Sequence, residues 1–98
     1  MKTANVIGDL TQAIALSPQE AYLYYNRGTV YARRADYDRA IEDFTRAIEL
    51  DPTLAEAWYN RGLSRLYSNR QQEGISDLSK AGELGLYTAY SVIKKYRK

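Results

Sequence analysis

Apolar residues recur along the chain at the three- and four-residue spacing of helices that bury one stripe. Tyr24, Gly28 and Tyr31 mark such a stripe in 21–34, and Ile41, Phe44, Ala47 and Ile48 mark another in 37–50. Between them Arg34-Ala35-Asp36 can turn the chain, with Asp36 placed to cap the second helix. Ser17-Pro18-Gln19-Glu20 and Thr53-Leu54-Ala55-Glu56 both fit the S/T-x-x-E capping box, and each is expected to open a helix. Asn69 suits the left-handed turn after a helix end, and Gly85 closes a later one. The pattern predicts six helices, over about 4–16, 20–34, 37–50, 54–68, 71–84 and 87–97, in an all-α chain.

The helices pair because the sequence repeats itself. Displaced by 34 residues, Ala21-Tyr22-Leu23-Tyr24-Tyr25-Asn26-Arg27-Gly28 falls on Ala55-Glu56-Ala57-Trp58-Tyr59-Asn60-Arg61-Gly62. Ile41, Asp43, Ala47, Glu49 and Leu50 then fall on Ile75, Asp77, Ala81, Glu83 and Leu84. Ala13, Leu16 and Pro18 fall on Ala47, Leu50 and Pro52. A single domain is expected, divided into the second half of a truncated repeat (1–18), full repeats at 21–54 and 55–86, and a capping helix at 87–98. Gly28 and Gly62 lack side chains where the two helices of a repeat must approach. Ala40, Gly74, Ala47 and Ala81 keep the facing surface shallow, and Tyr24, Trp58, Phe44 and Leu78 fill the space between.

These residues carry a resemblance. Tyr24-x2-Arg27-Gly28-x2-Tyr31, Ala40-x3-Phe44, Ala47 and Pro52 follow the W-x2-L-G-x2-Y, A-x3-F and P pattern of the tetratricopeptide repeat, and Trp58, Gly62, Leu78 and Ala81 follow it again. The departures are Arg27 and Arg61 for Leu, Arg65 for Tyr, Gly74 for Ala and Leu86 for Pro. The resemblance implies a right-handed α-α superhelix, a helix-turn-helix solenoid. It also implies a non-catalytic protein-interaction module whose first helices line a concave groove for an extended peptide or a partner's helix.

Composition narrows the chemistry. The chain has no Cys and no His, which excludes disulfides, thiolate zinc sites and His-based catalysis. Fourteen Lys and Arg against twelve Asp and Glu leave a net charge of +2. The densest acidic stretch, Asp36, Asp38, Glu42 and Asp43, is interleaved with Arg39 and Arg46 and reads as a solvated, salt-bridged helix face. No calcium-loop or phosphate-loop spacing occurs, so neither cofactor nor metal is expected, and no enzyme. No apolar run approaches the roughly 20 residues of a membrane span. A protein or peptide is the expected partner, not a membrane.

Ten tyrosines are the unusual feature, and several gather on one face. With Tyr24, Gly28 and Tyr31 turned inward, a rotation of about 100° per residue puts Tyr22, Asn26, Thr29 and Arg33 opposite, edged by Tyr25. The equivalent stripe in the next repeat is Glu56, Asn60, Leu63 and Tyr67, edged by Tyr59; in the last helix it is Tyr90, Lys94 and Arg97, edged by Ile93. Asn26 and Asn60, one repeat apart, could bond a peptide backbone in register. Tyr gives rigid contact area, and Arg33, Lys94 and Arg97 favour an acidic ligand. Two other readings use the same residues: tyrosines wedged between first helices of a self-associating spacer, or tyrosines stacking nucleic-acid bases beside the basic Lys94, Lys95, Arg97 and Lys98. Glu56 in the stripe and the small net charge weigh against nucleic acid. One subclass of the resembled family clamps chaperone C-termini with five residues. Its Lys and Asn fall on Tyr25 and Thr29, its central Asn on Asn60, and its last Lys and Arg on Tyr90 and Lys94, so most of its cations are missing.

The ends differ. Tyr96 stands where Gly28 and Gly62 stand, so the last helix is expected to close the array. The first helix is the second half of a repeat, and Val6, Ile7, Leu10 and Ile14 offer more apolar surface than one neighbour covers. The chain is therefore expected to come from a longer protein, or to form a homodimer through that helix and its small Ala4, Gly8 and Thr11 surface.

Overall fold

A computed structural model describes residues 5–97 and finds six helices and no strand among them. They are α1 (Val6–Leu16), α2 (Ala21–Arg33), α3 (Tyr37–Leu50), α4 (Ala55–Tyr67), α5 (Gln71–Glu83) and α6 (Thr88–Tyr96). Each lies within its predicted span, and α3 fills it completely. Ala4 and Lys98, which the sequence reading also used, lie outside the described residues. Helices pack in chain order: α2 against α3, α3 against α4, α4 against α5, with α1 and α6 on the two flanks and α2 touching α4 directly. The result is an all-α stack measuring 46 × 27 × 20 Å.

Turns fall where the repeat puts them. Ala35 (φ 59°) and Asn69 (φ 65°), 34 residues apart, take the left-handed conformation between the two helices of a repeat, and Gly85 (φ 106°) ends α5. Asp36 caps α3, accepting from the Arg39 amide at 3.4 Å. The two capping boxes do not form. Glu20 and Leu54 precede α2 and α4 without a side-chain cap. Ser17 instead ends α1, where its amide donates to Ala13 and Ile14. The Thr53 hydroxyl donates to Asp51 at 2.7 Å. Within the turns themselves the backbone closes on itself, Glu20 N–H donating to Ser17 O and Leu54 N–H to Asp51 O. A different device fixes each first helix: Tyr24 Oη donates to Pro18 O at 3.0 Å, and Trp58 Nε1 donates to Pro52 O at 2.8 Å.

Phe44 and Leu78 are fully buried, among Ala40, Ala47, Ala57, Ala81 and Ala89. A Cβ on Gly28 would sit 2.8 Å from the Phe44 ring; one on Gly62 would sit 2.9 Å from both the Gly74 carbonyl and Leu78. Small residues therefore set how closely paired helices approach.

Asp43 corrects the sequence reading. It does not lie on a solvated face: it is 5% exposed, and both its oxygens accept from Arg27 at 2.8 Å. Its counterpart Asp77 is 3% exposed and takes Arg61 at 2.9 and 2.8 Å, with Arg65 added at 2.8 Å. Each arginine also reaches back one helix, Arg27 donating to Thr11 at 3.2 Å and Arg61 to Thr45 at 3.1 Å. The two departures from the family's Leu thus tie three consecutive helices together. The exposed charges do pair: Arg46 meets Glu49, Arg39 meets Asp36, and Asp38 meets Arg70 across helices.

Candidate functional site

The stripe on the first helices of the repeats survives folding as an accessible surface with its own internal bonds. On α2, Asn26 and Arg33 are exposed, Tyr22 is 53% exposed, and Thr29 and Tyr25 are half-buried. Tyr22 and Tyr25 meet edge to face with centroids 6.2 Å apart, and the Tyr25 ring leans on Phe44 at 5.9 Å. The Thr29 hydroxyl donates to Asn26 O at 2.7 Å. On α4, Glu56 is exposed while Tyr59, Asn60 and Leu63 are half-buried, Tyr59 and Leu63 packing on the core around Leu66 and Leu78.

Asn60 Nδ2 joins the two helices, donating to Tyr25 Oη at 3.1 Å and to the Glu56 carbonyl at 3.0 Å. The matched asparagines are therefore not equivalent. Both amide protons of Asn60 are spent within the chain, leaving its oxygen as an acceptor for a ligand, whereas the Asn26 side chain is exposed. Tyr67 is 57% exposed, and its ring packs against Tyr37 on α3 with centroids 5.8 Å apart. Ile93, placed at the edge of the stripe, is 6% exposed and belongs to the core.

Tyr90 and Lys94 of α6 and Arg97 just beyond it come together with Ile93 and with Ser79 of α5 around a cavity of about 310 Å³. The Tyr90 ring lies over Gly82, where any Cβ would collide with it. Sequence reasoning missed Ser79. Its signal was the 34-residue register with Thr11 and Thr45, hydroxyls that both accept from an arginine. Arg33, Lys94 and Arg97 have no acidic partner among the described residues. This surface offers aromatic area and unpaired positive charge; among the described residues no group of His, Cys, Asp and Glu is placed to hold a metal.

Burial raises the Tyr25 phenol above its ordinary pKa of 10.0, with Glu56 and Tyr22 adding to the effect and the Asn60 bond and Arg33 opposing it. The unfolded phenol ionises at its ordinary value while the folded one keeps its proton. The unfolded state then binds fewer protons, so stability is full below about pH 10 and is lost as pH rises toward the folded value. Denaturation midpoints followed from pH 9 upward should decline, and Tyr25→Phe should make that decline shallower. An unchanged slope in the variant would contradict the burial of this phenol.

Comparison with known proteins follows the same lines. Tetratricopeptide repeat models match residues 21–54 and 44–76. Among solved structures, the Arabidopsis OM64 TPR domain is similar with a TM-score of 0.89 and 28% identity, covering 93% of this chain and 77% of that one. The second TPR domain of the human RPAP3 protein, solved in complex with HSP70 peptide SGPTIEEVD, gives a TM-score of 0.88 and 29% identity, covering 94% and 78%. The second TPR of Spaghetti (RPAP3), bound to HSP90 peptide SRMEEVD, gives a TM-score of 0.78 and 31% identity, covering 80% and 72%. A search of curated protein sequences gives no significant match.

Proposed function

Since this chain belongs to the tetratricopeptide repeat family, a family of protein-interaction scaffolds, we propose that it is a non-catalytic binding module that holds an extended acidic peptide in a concave groove lined by its first helices. In this reading 21–54 and 55–86 are full repeats, 1–18 completes a truncated one, and 87–98 caps the array. The observation that carries the reading is the positive charge of Arg33, Lys94 and Arg97, without an acidic partner among the described residues, beside exposed Tyr22 and Tyr90, with α2 and α4 linked through Tyr25 and Asn60.

Two similar structures hold peptides ending in Glu-Glu-Val-Asp. This chain keeps Asn60 at the matching place but has Tyr25, Thr29 and Tyr90 where a carboxylate clamp needs Lys, Asn and Lys. It therefore grips acidic side chains along a peptide more than a free terminus. Fluorescence anisotropy with SRMEEVD and its C-terminal amide separates the two. Both forms should bind in the micromolar range or weaker, because so few repeats bury little area. They should agree within about threefold, and the pair Lys94→Glu and Arg97→Glu should weaken both by roughly tenfold. Loss of binding on amidation alone would restore the clamp, and indifference to the charge reversals would remove the groove.

A further inference from the structure

Three hydroxyls stand at the same place in the repeat: Thr11, Thr45 and Ser79, spaced by 34 residues. Two of them are answered by the helix that follows. Sixteen residues on, Arg27 donates to Thr11 and Arg61 to Thr45, so Thr11 faces α2 and not the open side of α1 expected of it. The same step from Ser79 leads to Lys95, which is exposed, and no arginine donates to Ser79 among the described residues. Ser79 lines the cavity of about 310 Å³ together with Tyr90, Ile93, Lys94 and Arg97. Its apolar lining is Ile93, 6% exposed, and the Tyr90 ring seated over Gly82. The cavity thus carries two cations and no carboxylate. A second cavity, of about 350 Å³, also has two cations, Arg65 and Arg70, but Asp38, Glu42 and Glu73 line it with them. There both arginines are already bonded to aspartates, Arg65 to Asp77 and Arg70 to Asp38.

We propose that this cavity takes the phosphate of a phosphorylated serine or threonine in the bound peptide, an inference that rests on the groove reading above. A carboxylate is answered in full by one guanidinium, as Asp43 is by Arg27. Here it would bring one negative charge to two cations and leave a donor over. A phosphomonoester carries nearly two negative charges at neutral pH and three terminal oxygens. Those match Lys94, Arg97 and the Ser79 hydroxyl, which reach the cavity from two sides. Ile93 and the Tyr90 ring suit the short carbon stem behind the phosphate. The phosphodiester of a nucleic acid brings one charge per phosphate and matches the pair of cations less well.

The test compares SRMEEVD, by fluorescence anisotropy on the whole chain, with two versions in which phosphoserine replaces the first or the second glutamate. At about pH 7.5 the better phosphopeptide should bind about tenfold tighter than SRMEEVD. Lys94→Gln and Arg97→Gln, both at exposed positions, should each cut that ratio to about threefold or less. Ser79→Ala should weaken the phosphopeptide by about threefold. Lowering the pH to about 5.5 should also cut the ratio to about threefold, because the phosphate takes up its second proton there while the glutamates stay ionised. The chain has no His, the side chain that ordinarily titrates in that interval, so this loss reports the ligand. If SRMEEVD binds as well as either phosphopeptide, or the gain survives both glutamine variants, the groove stands and the phosphate site is overturned. If none of the three peptides binds, groove and site fall together. A single-stranded oligonucleotide that displaces the phosphopeptide at equal concentration would give the cations to a phosphodiester and also overturn the proposal.

Discussion

Gly62→Leu should be strongly destabilising, lowering the thermal midpoint by on the order of 10 °C. An added Cβ meets the Gly74 backbone carbonyl and Leu78 at 2.9 Å and the Asp77 side chain at 3.2 Å. A carbonyl inside a helix cannot step aside without breaking its own hydrogen bond. The larger side chain must therefore separate α4 from α5, an overpacking cost of about 1–3 kcal/mol or more, and each kcal/mol moves the midpoint of a domain this size by roughly 4–8 °C. Gly28→Leu should cost less, because its first obstacle is the edge of the Phe44 ring, a side chain, where Gly62 meets a backbone carbonyl. Thr29→Leu, next door and half-buried on the outer stripe, should cost little. Calorimetry on the three variants checks the order; equal losses for Gly28→Leu and Thr29→Leu would mean that the glycines do not set the helix separation.

Asp77→Ala is the second large effect, expected at about 3–5 kcal/mol, a large share of the 5–15 kcal/mol typical of a folded domain. The cost comes from what remains. Arg61 and Arg65, with side chains only 12% and 18% exposed, would be left facing each other's charge with no carboxylate between them. Asp43→Ala should be milder, since it strands a single guanidinium that is 20% exposed. Urea denaturation should show both losses almost unchanged between low and moderate salt, because screening reaches buried charges poorly. A loss below about 1 kcal/mol for Asp77→Ala would show that water reaches the pair and that it behaves as a surface bridge.

The helices were readable from the sequence because their apolar stripes, the 34-residue repeat and the turn residues all point the same way. Ala35 and Asn69 share a left-handed turn although only Asn advertises it, so there the repeat carried more information than the residue. The capping boxes failed because a four-residue pattern does not reveal that Ser17 is already ending the preceding helix. Asp43 was misjudged because charge spacing along one helix cannot tell a solvated face from one held by a neighbour. Yet Arg27/Arg61 and Asp43/Asp77 all recur at the repeat distance, which is the trace a buried pair leaves. At the candidate surface, rotation about each helix axis placed the exposed tyrosines well enough, but it could not show Asn60 bridging to Tyr25 or Ser79 joining Lys94 and Arg97. Those contacts depend on how neighbouring helices cross.

The groove itself is tested most directly by mapping amide shifts on the labelled chain as an acidic peptide such as SRMEEVD is added. Shifts running along 22–33, 56–67 and 90–97, strongest near Tyr90, Lys94 and Arg97 and reduced by Lys94→Glu, are the predicted result. Shifts confined to α3, over 37–50, would put the ligand on the other side of the array and contradict the account.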